Sequence, residues 1–321
     1  MKKILALVLA LVMVLGLTAA FADDYHFEIV SKGFQSTYWQ AVLKGANEEV
    51  DKINGEGADK ITINFVGPDS ESDVAQQVQQ FTSALNANPA AIGFAAVDQN
   101  AFNDLLAEAI EKKIPIIGFD SGVPGAPEGA ILANAATNNY NAGAMAAEKV
   151  YEAVKDRIAA AEGYGVKLEG NEKYVNDAKV ESVDDGKIII ETLVPSQVTA
   201  ELSATDCAAL LNKDDIIALY GSNQHSAEAM VTANENLQKL GTGEGQVIGA
   251  GFDSGAVIKD AVRNGVFLGA ITQAPFAMGE ALVDTLVKAA NGEAVADVDT
   301  GCQWYTAENM DNDEIAINLY D

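Results

Sequence analysis

Histidine, arginine and cysteine are scarce in this chain of 321 residues, and each shortage removes a class of chemistry. The two cysteines (Cys207, Cys302) and two histidines (His26, His225) form no CxxC and no HExxH pattern. The usual zinc sites are therefore excluded, no metal or other cofactor is expected, and two cysteines are too few for a disulfide scaffold. In an oxidising compartment the two could pair or remain free. Arginine occurs only at Arg157 and Arg263, both within helical patterns. An anionic ligand thus lacks the fork-shaped partner that carboxylates and phosphates favour. Positive charge is short throughout: 20 Lys and Arg stand against 47 Asp and Glu, a formal charge of −27. Such a surface repels phosphate backbones and anionic lipid, which argues against a nucleic-acid partner.

The hydrophobic fraction, 49%, is ample for packed cores. The length points to two domains, because single cores stop growing near ~250–300 residues. Residues 1–22 carry Lys2 and Lys3, an apolar run from Ile4 to Leu17, and Ala20-Phe21-Ala22. Charged start, short apolar stretch and small-x-small end predict a secretory signal peptide cut after Ala22. The run is short for a membrane helix and is followed by Asp23-Asp24 rather than a stop-transfer pattern. No cysteine near the cut offers lipid attachment. The expectation is a soluble exported protein, periplasmic or secreted.

From Tyr25 onward, apolar runs alternate with helical patterns. The runs are Phe27–Val30, Ile61–Val66, Ala91–Ala96, Ile114–Phe119, Ala130–Ala133, Ile188–Val194, Ile216–Tyr220, Val247–Phe252 and Val266–Ile271. Val42, Leu43, Ala46, Val50 and Ile53 make one helical stripe; Val74, Val78, Phe81 and Leu85 make another. Strand–helix alternation with nearly continuous apolar strands predicts an α/β protein of parallel sheets covered on both faces. Residues 162–186 break this rhythm with glycines and charge and no helix-length stripe. Short strands at Lys167–Glu169 and Ala178–Val183 are expected there, in a surface excursion between domains.

Ligands of open α/β sheets bind beyond the carboxyl ends of strands. Asp120 and Ser121 follow the run ending at Phe119; Asn223 follows the run ending at Tyr220; Asp253 follows Phe252; Gln273 follows the last run. After the first strand come Ser36, Tyr38 and Trp39. Taken singly, Asp, Asn and Ser in such places are ordinary helix N-caps, and the two aromatics could be core. As a set they match neutral polyol recognition. Carboxylates accept from vicinal hydroxyls, amides both donate and accept, and aromatic faces pack on the C–H side of a sugar ring.

Enzymatic readings are weaker. Asp120 with Asp253 could form the carboxyl pair of a glycosidase, which needs a set separation across a scissile bond. His225 has no serine in a nucleophile-elbow context, there being no GxSxG. Gly241-Thr242-Gly243-Glu244-Gly245 precedes a strand rather than following one, so it reads as a turn. Asp311-Asn312-Asp313 lacks the glycine and distal glutamate of a calcium loop.

Ile114-Pro115-Ile116-Ile117-Gly118-Phe119-Asp120, Ala136-Thr137-Asn138-Asn139 with Ala142-Gly143, Ile217–Asn223, Ile248–Asp253, and Ile271-Thr272-Gln273 with Pro275 and Gly279 carry a family resemblance. In these pieces the chain resembles periplasmic sugar-binding proteins of the ribose-binding type, the substrate receptors of bacterial ABC importers. The same fold serves as the effector domain of lactose-repressor-like transcription factors. The resemblance implies a type I periplasmic-binding-protein fold, two parallel-sheet Rossmann-like lobes joined by three crossovers. By that analogy one lobe is 25–134 plus 275–300 and the other 135–273 plus 303–321. It implies Asp120, Asn223, Asp253 and Gln273 as hydrogen-bonding ligands, Tyr38 and Trp39 as stacking rings, and Ser36 as a polar ligand. Ser121 stands where ribose binders carry Arg, and residues 162–186 offer neither the second Arg nor the helix of that family. The implied function is capture of a small neutral sugar, pentose or hexose, by hinge closure of a monomer, and delivery to a membrane permease. Rival readings are a same-fold receptor for a quorum-signal-like cyclic polyol and, more remotely, a secreted glycosidase. A DNA-reading regulator is opposed by the leader and by the lack of a helix-turn-helix before Tyr25.

Overall fold

The structure, a computed structural model, describes residues 24–57, 60–123, 125–160, 172–175, 178–183 and 188–320. The candidate leader at residues 1–22 and the expected strand at Lys167–Glu169 lie outside these. Among the described residues no helix is long and apolar enough to cross a membrane.

The elements run β1 (Asp24–Val30), α1 (Thr37–Glu56), β2 (Lys60–Val66), α2 (Val74–Asn86), β3 (Ala91–Phe94), α3 (Asn103–Lys112), β4 (Ile116–Phe119), β5 (Ala133–Ala136) and α4 (Asn139–Ala160). There follow β6 (Glu172–Val175), β7 (Ala178–Val183), β8 (Ile188–Thr192), α5 (Ala200–Leu211), β9 (Ala218–Tyr220), α6 (Gln224–Leu237), β10 (Ile248–Phe252), α7 (Ala256–Arg263) and β11 (Phe267–Gln273). The chain closes with α8 (Pro275–Ala290), β12 (Val298–Asp299), β13 (Cys302–Tyr305) and α9 (Asp313–Ala316). Two compact units result. The first holds the described residues of 24–34, 43–135 and 278–298; the second holds those of 35–42, 136–277 and 299–320.

The first unit is built on a six-stranded sheet of order β12-β5-β4-β3-β1-β2, with β1 to β5 paired in parallel. Strands β3 and β4 are buried at every position, as a sheet covered on both faces requires. Helix α2 starts where Asp73 accepts a hydrogen bond from the Gln76 backbone (2.9 Å), an N-cap that satisfies one orphan donor. Its apolar stripe then delivers Phe81 to a three-ring contact with Phe94 (4.4 Å between centroids) and Phe102 (5.8 Å). Phe94 and Phe102 themselves meet at 4.8 Å, so this core is an aromatic cluster.

The second unit has a four-stranded sheet of order β13-β11-β10-β9. Strands β9, β10 and β11 are parallel and β13 runs antiparallel to β11. Leu211, Met230, Ile258, Phe267 and Tyr305 pack its core. Strands β6, β7 and β8 form a separate three-stranded antiparallel sheet.

Two expectations change here. The run Ile188–Val194 does not enter a parallel sheet: β8 pairs antiparallel with β7, from Lys179↔Thr192 to Val183↔Ile188, and leaves Ile189 and Ile190 exposed. An apolar run announces a strand but not its partner, and the hairpin-forming neighbour is β7. The run Ala130–Ala133 becomes β5 three residues later, since alanine marks strand edges poorly. Cys207 and Cys302 are free thiols, each half-buried. Burial, reinforced by Asp206, pushes the Cys207 thiol up to about 11.

Candidate functional site

In the first unit, β4 ends at Phe119 and the chain turns through Asp120 with φ of +55°, a left-handed conformation that aspartate tolerates. The Asp120 amide donates to Ala135 (3.2 Å), and Gly122 donates back to Phe119 (2.8 Å) to close the turn. The carboxylate receives the Lys32 ammonium at 2.7 Å, both side chains being mostly buried. Ser121 is exposed on the same turn. The loop after β1 that carries Lys32 is held by Gln77, which is fully buried. The Gln77 amide nitrogen donates to the Ser31 and Ala95 carbonyls (2.8 Å each), and its oxygen accepts from the Val97 backbone (2.8 Å). One glutamine side chain thereby ties together the loops at two strand ends.

In the second unit, β10 ends at Phe252 and Asp253 takes φ of +73°. Its amide donates to Ile271 at 2.6 Å. Both carboxylate oxygens are engaged: Oδ1 accepts from Gln273 Nε2 (2.8 Å) and Oδ2 from the Gln224 backbone (3.0 Å). The Asp253 carbonyl accepts from the Tyr305 hydroxyl (2.8 Å). Asp253 and Gln273 are each 7% exposed, so these bonds are shielded from water.

Three phenols feel the Asp253 charge. Burial first, then Asp253, raises Tyr305 far above the ordinary phenol range and holds Tyr320 well above it. The same causes, with Cys302 third, push Tyr220 up to about 12. All three therefore stay protonated and able to donate.

Residues 35–42 group with this second unit, so Ser36, Tyr38 and Trp39 belong to it. Trp39 is 1% exposed and Tyr38 is 7% exposed. Their rings meet edge-on at 4.9 Å, and Tyr38 meets Tyr320 edge-on at 5.6 Å. Tyr320 thus links the aromatic pair to the Asp253 set. Ser36 Oγ lies 3.5 Å from the Trp39 amide, a cap-like contact at the start of α1. Asn223 is the N-cap of α6: its Oδ1 accepts from Ser226 N (2.9 Å), and the Asn223 amide donates to Ser226 Oγ (3.1 Å). Its side-chain carbonyl is committed to that cap. The approach is tight, for a Cβ on Gly221 would meet the Ala227 nitrogen at 2.6 Å.

Within the second unit the predicted residues Tyr38 and Asp253 both lie against Tyr320, Gln273 bonds Asp253, and Trp39 meets Tyr38. Asp120 and Ser121 belong to the first unit. Sequence reasoning passed over Lys32, Gln77, Tyr305 and Tyr320. Lys32 had a signal: it follows the β1 run just as Asp120 follows the β4 run. The others sit in a helix, an antiparallel strand and the C-terminal segment, where strand-end logic does not look.

His225 Nε2 hydrogen-bonds Ser203 Oγ (2.9 Å), but Ser203 is 2% exposed, which shields that oxygen from substrate. Among the described residues no group of three or more His, Cys, Asp or Glu could hold a metal ion.

A family model described as periplasmic binding protein domain matches residues 27–294. One similar solved structure is an ABC transporter, LacI family transcriptional regulator from Brachyspira murdochii, 32% identical with a TM-score of 0.77. That likeness covers 93% of this chain and 99% of the other. An ABC transporter solute-binding protein from Agrobacterium vitis with bound D-fucose is 26% identical, with a TM-score of 0.71, over 92% of this chain and 100% of its own. The ribose import binding protein of Haemophilus influenzae is 22% identical over 297 residues, 92% of this chain and 96% of that protein. The chain belongs to the periplasmic binding protein domain family.

Proposed function

We propose that this protein is an exported, monomeric receptor that captures a small neutral sugar by hinge closure and delivers it to the permease of an ABC importer. It acts as a carrier, not as an enzyme. The observation that carries this reading is the buried Asp253 carboxylate. Gln273 Nε2 and the Gln224 backbone N–H fix its orientation, and a carboxylate so held is suited to accept from ligand hydroxyls. Hydrogen bonds to an ionised acceptor are roughly twice as strong as neutral ones, and shielding from water strengthens them further. Tyr38 and Trp39 supply aromatic area for a sugar ring, and Gln273 Oε1 adds an acceptor.

Lys32 and Asp120 contribute a second polar group, with the ammonium and carboxylate compensating one another's charge. A ligand hydroxyl can donate to the Asp120 carboxylate and accept from the Lys32 ammonium. Lys32 thereby offers a cationic donor in a chain that has Ser121 where ribose binders have Arg. An anionic ligand would be repelled by the Asp253 carboxylate, which disfavours it. Ligand contacts that exist only in the closed form shift the open–closed equilibrium by their differential free energy. The D-fucose bound to the Agrobacterium vitis protein and the ribose specificity in the name of the Haemophilus influenzae protein support a pentose or hexose.

A thermal-shift screen against pentoses, hexoses, open-chain polyols and cyclic furanosyl diols tests the proposal. Ligand at ~100 times its Kd adds about 2.7 kcal/mol of stability, several degrees in Tm. A shift with a neutral monosaccharide is expected. A shift with the cyclic furanosyl diols alone, or with no compound, contradicts it.

A further inference from the structure

At the edge of the first unit's sheet, one face of the paired strands β1 and β2 carries polar side chains. The parallel register sets Glu28 beside Asn64 and His26 beside Thr62, and alternation along each strand puts all four on that face. Asn64 Nδ2 donates to Glu28 Oε2 (2.7 Å). The His26 ring bridges Glu28 Oε1 (2.9 Å from Nε2) and Thr62 Oγ1 (3.0 Å from Nδ1). Glu28 is only 6% exposed. Beside the apolar stripe that fills the core, helix α2 carries a second stripe, Gln76, Gln79, Gln80 and Ser83, at the spacing of one helix face. A helix surface turned toward a sheet is ordinarily apolar, whereas this one is made of amides and a hydroxyl. Between the stripe and the strands lies a pocket of about 350 Å³, lined by these four residues with Glu28 and Asn64, all within the first unit. Gln79 and Ser83 are exposed, so the pocket is reached from solvent past them.

Two amides of this pocket have a fixed orientation. Gln80 Nε2 donates to the Gly67 carbonyl (2.9 Å), and a carbonyl only accepts, so the amide cannot be turned the other way. Gln80 Oε1 is then buried without a hydrogen-bond partner. By the same logic Asn64 Nδ2 serves the Glu28 carboxylate and leaves Asn64 Oδ1 as an acceptor. Among the described residues that line the pocket there is one carboxylate and no Lys or Arg. An unpaired buried acceptor costs free energy, and in a native structure it points to a donor supplied from outside the chain. We propose that this pocket is a second ligand site, independent of the sugar site, that takes a small organic cation bearing an amine or guanidine group. The cation's N–H groups donate to the Glu28 carboxylate, Asn64 Oδ1 and Gln80 Oε1, and its charge meets the single negative charge of the lining. The shielding of Glu28 from water strengthens these bonds. The volume sits at the lower end of small-molecule pockets, about 300–1,000 Å³. A bare metal ion fits the lining poorly, since Glu28 is its one carboxylate.

The test is calorimetric titration of the full chain at low ionic strength with agmatine, methylguanidine and n-butylamine, beside neutral n-butyramide and anionic butanoate. The three cations are expected to bind at one site per chain, and butanoate not at all. Glu28→Gln keeps the size and an acceptor for Asn64 but removes the charge, and is expected to weaken agmatine at least ~10-fold. Gln80→Met removes the unpaired acceptor and is expected to weaken it about 3- to 10-fold. Gln79→Lys, an exposed substitution, brings an ammonium to the pocket and is expected to abolish agmatine binding with Tm unchanged, which keeps the test free of folding defects. The proposal is overturned if the parent takes up none of the cations, in which case the polar cluster only holds β1, β2 and α2 together. It is overturned equally if agmatine binds parent and all three variants alike, because diffuse attraction to a chain of charge −27 would do that. Binding of n-butyramide as tight as that of agmatine would make the site one for neutral ligands and overturn the cation class. None of these results bears on the sugar reading, which Asp253→Ala tests separately.

Discussion

Gly118-Phe119-Asp120-Ser121-Gly122 in one unit and Gly251-Phe252-Asp253-Ser254-Gly255 in the other are the same five residues, yet their aspartates have different partners. Both end a parallel strand, both place the aspartate at positive φ, and both direct its amide to a carbonyl of the neighbouring strand. There the likeness stops. Asp120 faces an ammonium, Lys32, whereas Asp253 is surrounded by an amide, a backbone N–H and phenols. The serines diverge as well: Ser121 is exposed, while Ser254 is fully buried and accepts from Tyr320. Gly122 continues at φ of +55°, but Gly255 returns to −54° because it is the N-cap of α7. The shared residues set the positive φ of the aspartate and its amide bond to the neighbouring strand. Residues far away in the chain decide what its carboxylate does.

The largest difference between the two turns is expected from Asp253→Ala. It removes charge-assisted bonds worth about 1.5–3 kcal/mol each and should weaken sugar binding ~100-fold or more by calorimetry. It also strands the Gln224 amide and Gln273, and should lower unfolding stability by about 1–3 kcal/mol in urea. Asp120→Ala is expected to weaken binding less, roughly 10-fold, while leaving the largely buried Lys32 ammonium without its counter-charge. Adding Lys32→Met to that variant should restore part of the lost Tm; no recovery would mean the pair is not coupled.

Alkaline pH should act on the second unit through its phenols. Tyr220, Tyr305 and Tyr320 are raised above the ordinary 10.0 of a phenol by burial and Asp253. Above pH 10 the unfolded chain releases phenol protons that the folded chain keeps. The contribution is whole below pH 10 and is lost as pH rises toward and past about 12, where Tyr220 ionises. Tyr305→Phe should flatten that decline in a pH series of denaturant midpoints. The smallest effect is expected from Trp39→Ala, a few-fold loss for ring-bearing sugars and less for open-chain polyols; equal losses would leave Trp39 a core residue only.

Much of the scaffold is legible in the sequence because burial on both faces writes itself as apolar runs: β3 and β4 are apolar or glycine throughout. The strand-end positions of Asp120 and Asp253 follow from those runs directly. What the runs do not encode is pairing. β8 looked like a core strand and became part of an antiparallel hairpin sheet, and β13, short and mixed in character, left no periodic signal at all. The surroundings of the two acids were the least legible part. Lys32, Tyr305 and Tyr320 reach them from about 50 to about 90 positions away in sequence, through tertiary contacts that no local pattern reports.

The most direct test is the affinity of Asp253→Asn for the best sugar of the panel, measured by calorimetry beside the parent. Asparagine keeps the size and removes the charge, so a loss of at least ~10-fold is predicted from the charge-assisted bonds alone. An affinity equal to the parent's would contradict the account that the buried Asp253 carboxylate is what grips the ligand.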